Sequence, residues 1–239
     1  MQTSSSEVGH RANRLLARMS KRDFRVLSEY LEPIELIPRE TLFDAGESAG
    51  YVFFPHSGVI CLMASLRDGV SETAAIGSEG FVGFEAVLGG DTTAHKALVQ
   101  LPGTASRLRI GELRSVMREC PDIRDLLLRY VRFFLLQALQ SVACNSLHTV
   151  EERCAKWLLT AHDRTGHRDR LNLTQEFLAE VLGVHRPSVT LVARTLQNAG
   201  LIRYSRGVII ITDRKGLEEA ACECYAVVSR ALDEILPPT

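Results

Sequence analysis

The chain has 239 residues, of which 46% are hydrophobic and 24% are charged, and its formal net charge is −1. This is the composition of a globular protein long enough for two domains with cores, and the near-zero charge excludes a uniformly basic nucleic-acid coat. The sequence shows no apolar run of membrane-spanning length and no signal segment, so we expect a cytoplasmic protein without a membrane contact.

The first 120 residues predict a helix followed by a compact domain of short strands. Apolar residues recur at helical spacing from Asn13 to Tyr30. Beyond Pro33, short apolar runs alternate with glycine-centred turns as far as Ile110, which is typical of a β-roll or barrel. The glycine-rich segment 77–90 interrupts the strands and is the natural place for a ligand; the alternative is a structural connection. We assign residues 11–120 to this domain.

A long helix should begin at Pro121, and we assign residues 121–146 to it. Its apolar residues alternate gaps of three and four, which is the pattern of a two-stranded coiled coil. We interpret this stripe as a dimer interface; the alternative is a helix that is only buried against the β-domain. The expected interface residues are Leu128, Val131, Leu135, Ala138 and Val142.

The segment from Thr174 to Gln197 predicts a helix-turn-helix within the C-terminal region, residues 147–239. Thr174 can cap the first helix, and Gly183 supplies the backbone freedom for a sharp turn before the second. The apolar stripe of the second helix lies opposite a face that begins with Arg186. A supported helix with arginine and hydroxyls facing outward suits the major groove of DNA; the alternative is a packing hairpin with a solvated charged face.

Two short strands around a tight turn follow this motif. Leu201 to Tyr204 and Val208 to Thr212 flank the turn Ser205-Arg206-Gly207. A helix-turn-helix followed by such a hairpin is a winged helix, and the arginine at the wing tip would be within reach of phosphate. Asp213 should cap a final helix that runs to about Leu236.

The cysteines and histidines show no spacing typical of a metal site. Cys222 and Cys224 form the only tight pair, and residues two apart on a helix point in different directions. This argues against a joint metal site or a disulfide there. We therefore expect reduced, mostly buried thiols at the six positions, which are Cys61, Cys120, Cys144, Cys154, Cys222 and Cys224.

The order of these elements gives an α+β chain with a β-roll, a long helix and a winged helix. This order resembles the superfamily of the cyclic-AMP receptor protein and the fumarate–nitrate reductase regulator, most specifically in LTQEFLAEVLGVHRPSVT and GLIRY-RG. The resemblance implies a homodimeric bacterial transcription regulator that binds a palindromic operator in double-stranded DNA. It also implies that the roll senses a signal, and it makes RNA polymerase a candidate partner.

By the same resemblance, Arg186 matches the first base-reading arginine, whose planar fork suits guanine. Pro187 and Leu191 stand where the cyclic-AMP receptor protein has a glutamate and a second arginine, so the operator should differ from that protein's. Phosphate contacts would come from the start of the preceding helix and from the wing tip. The expected DNA-binding residues are Thr174, Gln175, Arg186, Ser188, Thr190, Leu191 and Arg206.

The sensor region departs from the cyclic-nucleotide pattern of the superfamily, which has Gly-Glu early in the phosphate cassette and Arg-Ser or Arg-Thr at its end. Here Gly83-Phe84-Glu85 shifts the acid by one position, and His95-Lys96 stands about where the arginine pair belongs. Lysine is a less directional phosphate partner than arginine. We name Gly83, Phe84, Glu85, His95 and Lys96 as the candidate effector pocket. The departures argue against a cyclic nucleotide and leave an anion at Lys96 open.

The sequence also bears on iron–sulfur, haem and enzymatic functions. The iron–sulfur branch needs cysteines near the N-terminus, and none precedes Cys61, so we expect no such cluster and leave the cofactor unknown. His56 and His95 stay open as haem ligands. No catalytic motif of the common enzyme classes is present, so we do not expect an enzyme. The alternatives are a true cyclic-nucleotide-responsive regulator, or a ligand-binding module without specific DNA recognition.

Overall fold

The computed structural model describes residues 9–67, 69–166 and 169–237, and it shows a β-roll and a winged helix joined by one long helix. The N-terminal helix predicted from Asn13 to Tyr30 is instead two helices, α1 (Arg14–Arg18) and α2 (Lys21–Ser28). The break follows from Ser20, whose side chain accepts a bond from the backbone N–H of Asp23 and caps a new helix.

Within the described residues, seven strands form the roll as two antiparallel sheets, ordered β1-β7-β3 and β2-β6-β4-β5. Apolar side chains between the sheets form its core, with Phe43, Phe53, Ile60 and Ile76 among them. The predicted roll is confirmed. The strands are β1 (Glu32–Leu36), β2 (Thr41–Phe43), β3 (Tyr51–Pro55), β4 (Val59–Leu66), β5 (Gly69–Ile76), β6 (Lys96–Leu101) and β7 (Gly103–Arg109).

The long helix lies directly after the roll. Helix α3 (Ile110–Glu119) leads into α4 (Pro121–Leu147), which starts at Pro121 because a first-turn proline lacks only an N–H that would be unsatisfied anyway. One face of α4 packs on the roll through Tyr130 and Phe133, both buried. The approach is close, since a Cβ on Gly80 would lie 1.8 Å from the hydroxyl of Tyr130.

The opposite face of α4 is apolar and exposed. Of the predicted interface residues, Leu128, Leu135 and Val142 are exposed, while Val131 and Ala138 are half-buried. The exposed fractions of Leu135 and Val142 are 58% and 66%. The face that the roll covers is therefore not the face that carries the coiled-coil spacing.

Helix α4 also meets the length and composition criteria of a membrane span. An 18-residue window of Pro121–Leu147 has a mean hydropathy of 1.2, and 22% of it is buried. This differs from the expectation that the sequence has no apolar run of membrane-spanning length. One such helix is weak support for a membrane span, because helices that pack in a protein core pass the same test.

The C-terminal unit has the predicted winged-helix order with one added strand. Strand β8 pairs with β10, so that the wing is part of a three-stranded sheet ordered β8-β10-β9. The elements are α5 (Val150–Arg164), β8 (Arg170–Asn172), α6 (Gln175–Leu182), α7 (Arg186–Asn198), β9 (Ile202–Ser205), β10 (Val208–Ile211), α8 (Arg214–Ala220) and α9 (Cys224–Ile235).

The single final helix predicted from Asp213 to about Leu236 is wrong, because the chain breaks between α8 and α9. Ala221 is extended, with ψ of 151°, and this ends α8 before α9 begins at Cys224. Helix α9 then returns along α4, and Leu236 is fully buried among the residues of the N-terminal helices.

A buried ion pair joins the roll to the C-terminal unit. Arg164 Nε lies 2.8 Å from Glu79 Oε1, and both side chains are less than 10% exposed. Arg164 also donates to Gln137 Oε1 of α4 at 3.0 Å, while the Glu79 carboxylate accepts from the backbone N–H of Gly77. Three parts of the molecule therefore meet at one guanidinium.

We expect Arg164→Ala to lower the free energy of unfolding by about 3 kcal/mol, because it leaves the Glu79 carboxylate buried and uncompensated. Chemical denaturation measures this change. The control is Arg107→Ala, which breaks an exposed pair with Glu32 and should cost less than about 1 kcal/mol. Equal, small effects of the two variants would contradict a structural role for the buried pair.

Candidate nucleic-acid interface

The helix-turn-helix is held together by local capping and by an apolar contact between its two helices. Thr174 is extended and accepts a bond from the backbone N–H of Phe177 at 3.2 Å. Gly183 has φ of +62°, which lets α6 end and the chain turn toward α7. Leu178 of α6 and Val189 of α7 are buried in the same core, so α7 is supported along its inner side.

The outer side of α7 carries the predicted base-reading residues. Arg186 and Thr190 are exposed, Ser188 is half-buried, and Leu191 is 62% exposed. Gln175 of α6 connects two of them, since its Oε1 accepts from Thr190 Oγ1 at 3.3 Å and from Arg186 Nε at 3.5 Å. The structure therefore brings residues of both helices into one polar surface cluster.

The wing is fixed against the same helices. Arg206 and Gly207 have φ of +51° and +77°, the backbone of a tight two-residue hairpin turn. Tyr204 N–H donates to Gln197 Oε1 of α7 at 2.8 Å, and the Tyr204 hydroxyl donates to the Leu173 carbonyl at 3.2 Å. These two hydrogen bonds fix the wing beside the start of α6, and Arg206 at its tip is exposed.

The candidate effector pocket is only partly assembled. Gly83 has φ of +93° and starts the short turn Phe84–Ala86, and the Phe84 ring lies 4.5 Å from that of Phe134 on α4. Burial raises the pKa of Glu85, and a charge on His95 would lower it. Within the described residues, Glu85 Oε2 and His95 Nδ1 are buried without a hydrogen-bond partner. These two side chains lie close enough for a charge on one to act on the other, and each leaves a polar atom unpartnered.

The cations near this pocket are engaged by the protein itself. Lys96 Nζ lies 3.0 Å from Asp44 Oδ1, so this lysine forms an ion pair with a carboxylate of the protein. Arg114, which the sequence analysis did not single out, donates to the carbonyls of Ala86 and Gly90 and pairs with Asp91 at 2.9 Å. Its guanidinium holds the glycine-rich loop in place.

A cavity of about 510 Å³ lies between the roll, α4 and α5. Glu72 lines it, and burial raises the pKa of this carboxyl to about 7, although Gln100 and Trp157 donate hydrogen bonds to it at 2.7 and 3.3 Å. The sequence analysis missed this site because its members are distant in the chain; Glu72 and Trp157 alone are 85 residues apart. A cluster of residues this distant in the chain leaves no local sequence pattern that would predict it.

The two histidines considered as haem ligands have different surroundings. His56 Nε2 is 2.6 Å from the hydroxyl of Ser106, which is also bonded to His10. Burial, and then the nearby His10, lower the pKa of His56 to about 4. His56 is therefore engaged in a network inside the roll, whereas His95 belongs to the candidate effector pocket.

Comparison with known proteins decides the family. Residues 33–120 match the cyclic nucleotide-binding domain, and residues 152–220 match the Crp-like helix-turn-helix domain. The chain belongs to the CRP/FNR superfamily. Members of this superfamily are DNA-binding transcription regulators rather than enzymes, so the coarse functional class is established for this CRP/FNR chain.

Relatives of this CRP/FNR chain cover most of its length. Two curated relatives from Mycobacterium tuberculosis, strains CDC 1551/Oshkosh and H37Rv, are each 24% identical over 202 residues, covering 82% of this chain and 90% of the relative. Both are named CRP-like cAMP-activated global transcriptional regulator. FixK2 from Bradyrhizobium japonicum has a TM-score of 0.69 at 17% identity, over 80% of this chain and 98% of its own. The c-di-GMP responsive regulator CLP of Xanthomonas campestris has a TM-score of 0.66 at 17% identity, over 81% and 100%. These two structures support the fold.

Proposed function

We propose that the protein is a homodimeric, sequence-specific transcription regulator of the cytoplasm that binds a palindromic operator in double-stranded DNA. Its roll responds to an effector other than a cyclic nucleotide. The observation that carries the proposal is the exposed cluster of Arg186, Thr190 and Gln175 on a supported helix beside a fixed wing. RNA polymerase is proposed as a partner only because the chain belongs to this family.

The chemistry of α7 suits direct reading of base edges. Arg186 at the helix start offers a bidentate donor for a guanine, as the N-terminal residues of recognition helices do. Leu191 is apolar and exposed, which suits contact with a thymine methyl group. Thr174, Gln175 and Arg206 flank α7 and would contact phosphates, which position the protein without reading sequence. Ser188 and Thr190 add hydroxyls that can meet either kind of group.

The dimer is proposed from the exposed face of α4. Three of its expected interface residues, Leu128, Leu135 and Val142, are exposed, and Leu139 beside them is 64% exposed. An apolar stripe of this kind is rarely left to water on a monomer. Two copies joined along the stripe would present two recognition helices, which must lie roughly 34 Å apart to reach successive major grooves.

The effector is proposed from the residues that the pocket offers. A cyclic phosphate needs a free cation, and the two cations described beside the glycine-rich loop, Lys96 and Arg114, are paired with Asp44 and Asp91. Glu85 and His95 instead offer buried, unpartnered polar atoms. This arrangement favours a small polar effector that hydrogen-bonds to a carboxyl and an imidazole.

A cyclic-nucleotide-responsive regulator is the second candidate function. It is favoured by the match of residues 33–120 to the cyclic nucleotide-binding domain, and by the cAMP-activated relatives from Mycobacterium tuberculosis. It would require Lys96 to leave Asp44 and take the phosphate. In either case, an effector shifts the protein only if it binds one arrangement of the recognition helices better than another.

We expect Arg186→Ala to reduce discrimination between the operator and unrelated DNA by roughly 10- to 100-fold, because one bidentate base contact is worth about 1–3 kcal/mol. Fluorescence anisotropy with both DNAs measures this ratio. Arg206→Ala should instead weaken both DNAs alike and reduce the salt slope by about 1. Arg230→Ala, an exposed arginine on α9, is the neutral control. If Arg186→Ala keeps the parent's discrimination, the proposed base contact is wrong.

We expect Leu135→Asp to convert the dimer to a folded monomer, because it places a charge in the apolar stripe without disturbing the buried face of α4. Sedimentation velocity measures the change. Leu147→Asp is the matched control, since Leu147 is 80% exposed on the same helix and lies about 120° around it from Leu135. A monomeric parent, or equal effects of both substitutions, would contradict the interface.

Isothermal titration with cyclic AMP and with cyclic GMP should give no saturable heat at micromolar protein, because the pocket cations are already paired with carboxylates. The measurement uses the full chain with its oligomeric state recorded. Saturable binding of one nucleotide per chain would contradict the proposed effector class and establish the second candidate.

A further inference from the structure

Three cysteines and a histidine from two distant parts of the sequence meet at the C-terminal end of α4. One ligand atom from each of Cys144, His148, Cys222 and Cys224 lies within 4.8 Å of the others. Cys144 Sγ is 3.6 Å from Cys222 Sγ, and Cys224 Sγ is 3.6 Å from His148 Nδ1. The three thiols are buried, and the imidazole is half-buried.

We propose that Cys144, His148, Cys222 and Cys224 form a structural zinc site that fastens the DNA-binding domain to the long helix. The expectation of no metal site rested on the absence of typical ligand spacings and on Cys222 and Cys224 sharing a helix. They do not, because α8 ends at Ala220 and α9 begins at Cys224. The junction turns both thiols toward the end of α4.

The geometry of the four side chains matches one tetrahedral ion. Zinc bonds sulfur at about 2.3 Å, so the edge of a regular tetrahedron of sulfur ligands is about 3.8 Å. Two of the measured separations are 3.6 Å, and none exceeds 4.8 Å, so the largest closing movement is about 1 Å. Three cysteines and one histidine are a donor set of structural zinc sites. An iron–sulfur cluster would place several atoms between its ligands and hold them farther apart.

The surroundings orient the ligands and balance their charge. Glu223 Oε2 lies 3.2 Å from His148 Nε2, which fixes that nitrogen as the protonated one and leaves Nδ1 free for the metal. Lys156 Nζ is 3.3 Å from Cys144 Sγ, and Gln140 Nε2 is 3.1 Å from Cys224 Sγ. Three thiolates and one Zn²⁺ carry one net negative charge, which Lys156 counters, while the largely exposed Glu223 carboxylate is screened by solvent.

The proposed zinc site lies where the long helix is connected to the winged-helix unit. His148 is the residue at which α4 ends, and the first helix of the winged-helix unit begins at Val150. Cys222 follows α8, which packs against α5, and Lys156 belongs to α5. A metal here would restrict rotation about residues 148–149, which connect α4 to α5 and would act as a hinge between them. This effect on DNA binding rests on the proposed function, whereas metal binding itself does not.

The test uses the full chain without a polyhistidine tag, stripped of metal under reducing conditions. Titration with Co²⁺ should give the visible bands of tetrahedral cobalt and sulfur-to-metal charge transfer, saturating at one ion per chain. Added Zn²⁺ should bleach the spectrum and raise the midpoint of thermal unfolding. Weak octahedral cobalt absorption, a stoichiometry well below one, or a stable disulfide between Cys144 and Cys222 in place of the metal would overturn the site.

Variants separate the ligands from cysteines that only fill the core. His148→Ala and Cys222→Ala should each lose the tetrahedral spectrum, whereas Cys120→Ala, which removes a thiol from the N-terminal core, should keep it. Glu223→Gln should keep the stoichiometry and weaken zinc affinity by about 10- to 100-fold, as loss of a partner that orients a ligand does. Retention of the spectrum in His148→Ala or Cys222→Ala would refute the assignment.

DNA affinity is measured last, with and without one equivalent of Zn²⁺. Tighter operator binding by the zinc form supports the hinge role, and equal affinity of the two forms refutes it. A protein that binds zinc but no DNA in either form would contradict the proposed function and leave the metal site standing.

Discussion

The burial of one face of helix α4 against the β-roll is the contact on which the rest of the structure depends. Tyr130 packs against Phe81 of the roll, with ring centroids 5.4 Å apart, and Phe133 packs against Tyr130 in the same core, so the rotation of α4 about its own axis is fixed. Fixing this rotation sends the apolar stripe with Leu135 outward. It also sets the direction in which the chain leaves α4 at His148 and enters the winged helix.

A signal in the roll, as proposed above, would reach the winged helix through the boundary between the two. The Arg164–Glu79 pair connects α5 to the turn beside Gly77, and the cavity containing Glu72 lies along the same boundary. A buried ion pair tolerates few geometries, so the boundary is suited to discrete arrangements rather than to gradual deformation. The proposed zinc site adjoins the same cavity, because Cys224, Lys156 and Gln140 also line it, so a bound metal would restrain one part of this boundary.

The sequence was most informative where the determinants are local. Thr174, Gly183 and the apolar spacing of α7 are neighbours in the chain, and Pro121 marks a helix start by the chemistry of one residue. It was least informative where the determinants are distant. The Glu79–Arg164 pair spans 85 positions of the chain, and Cys144 and Cys222 are 78 residues apart. The prediction that Cys222 and Cys224 point in different directions assumed one continuous helix. The helix breaks just before them, and no single residue in the sequence indicates that turn.

The central claim is that two copies of α7 read a two-fold symmetric DNA site. Selection of bound sequences from a random pool of duplex DNA, using the purified full chain, tests it most directly. The account predicts enrichment of an inverted repeat whose half-site centres lie about one helical turn, 10–10.5 base pairs, apart. Enrichment of a single half-site without symmetry, or no enrichment over the starting pool, would contradict it.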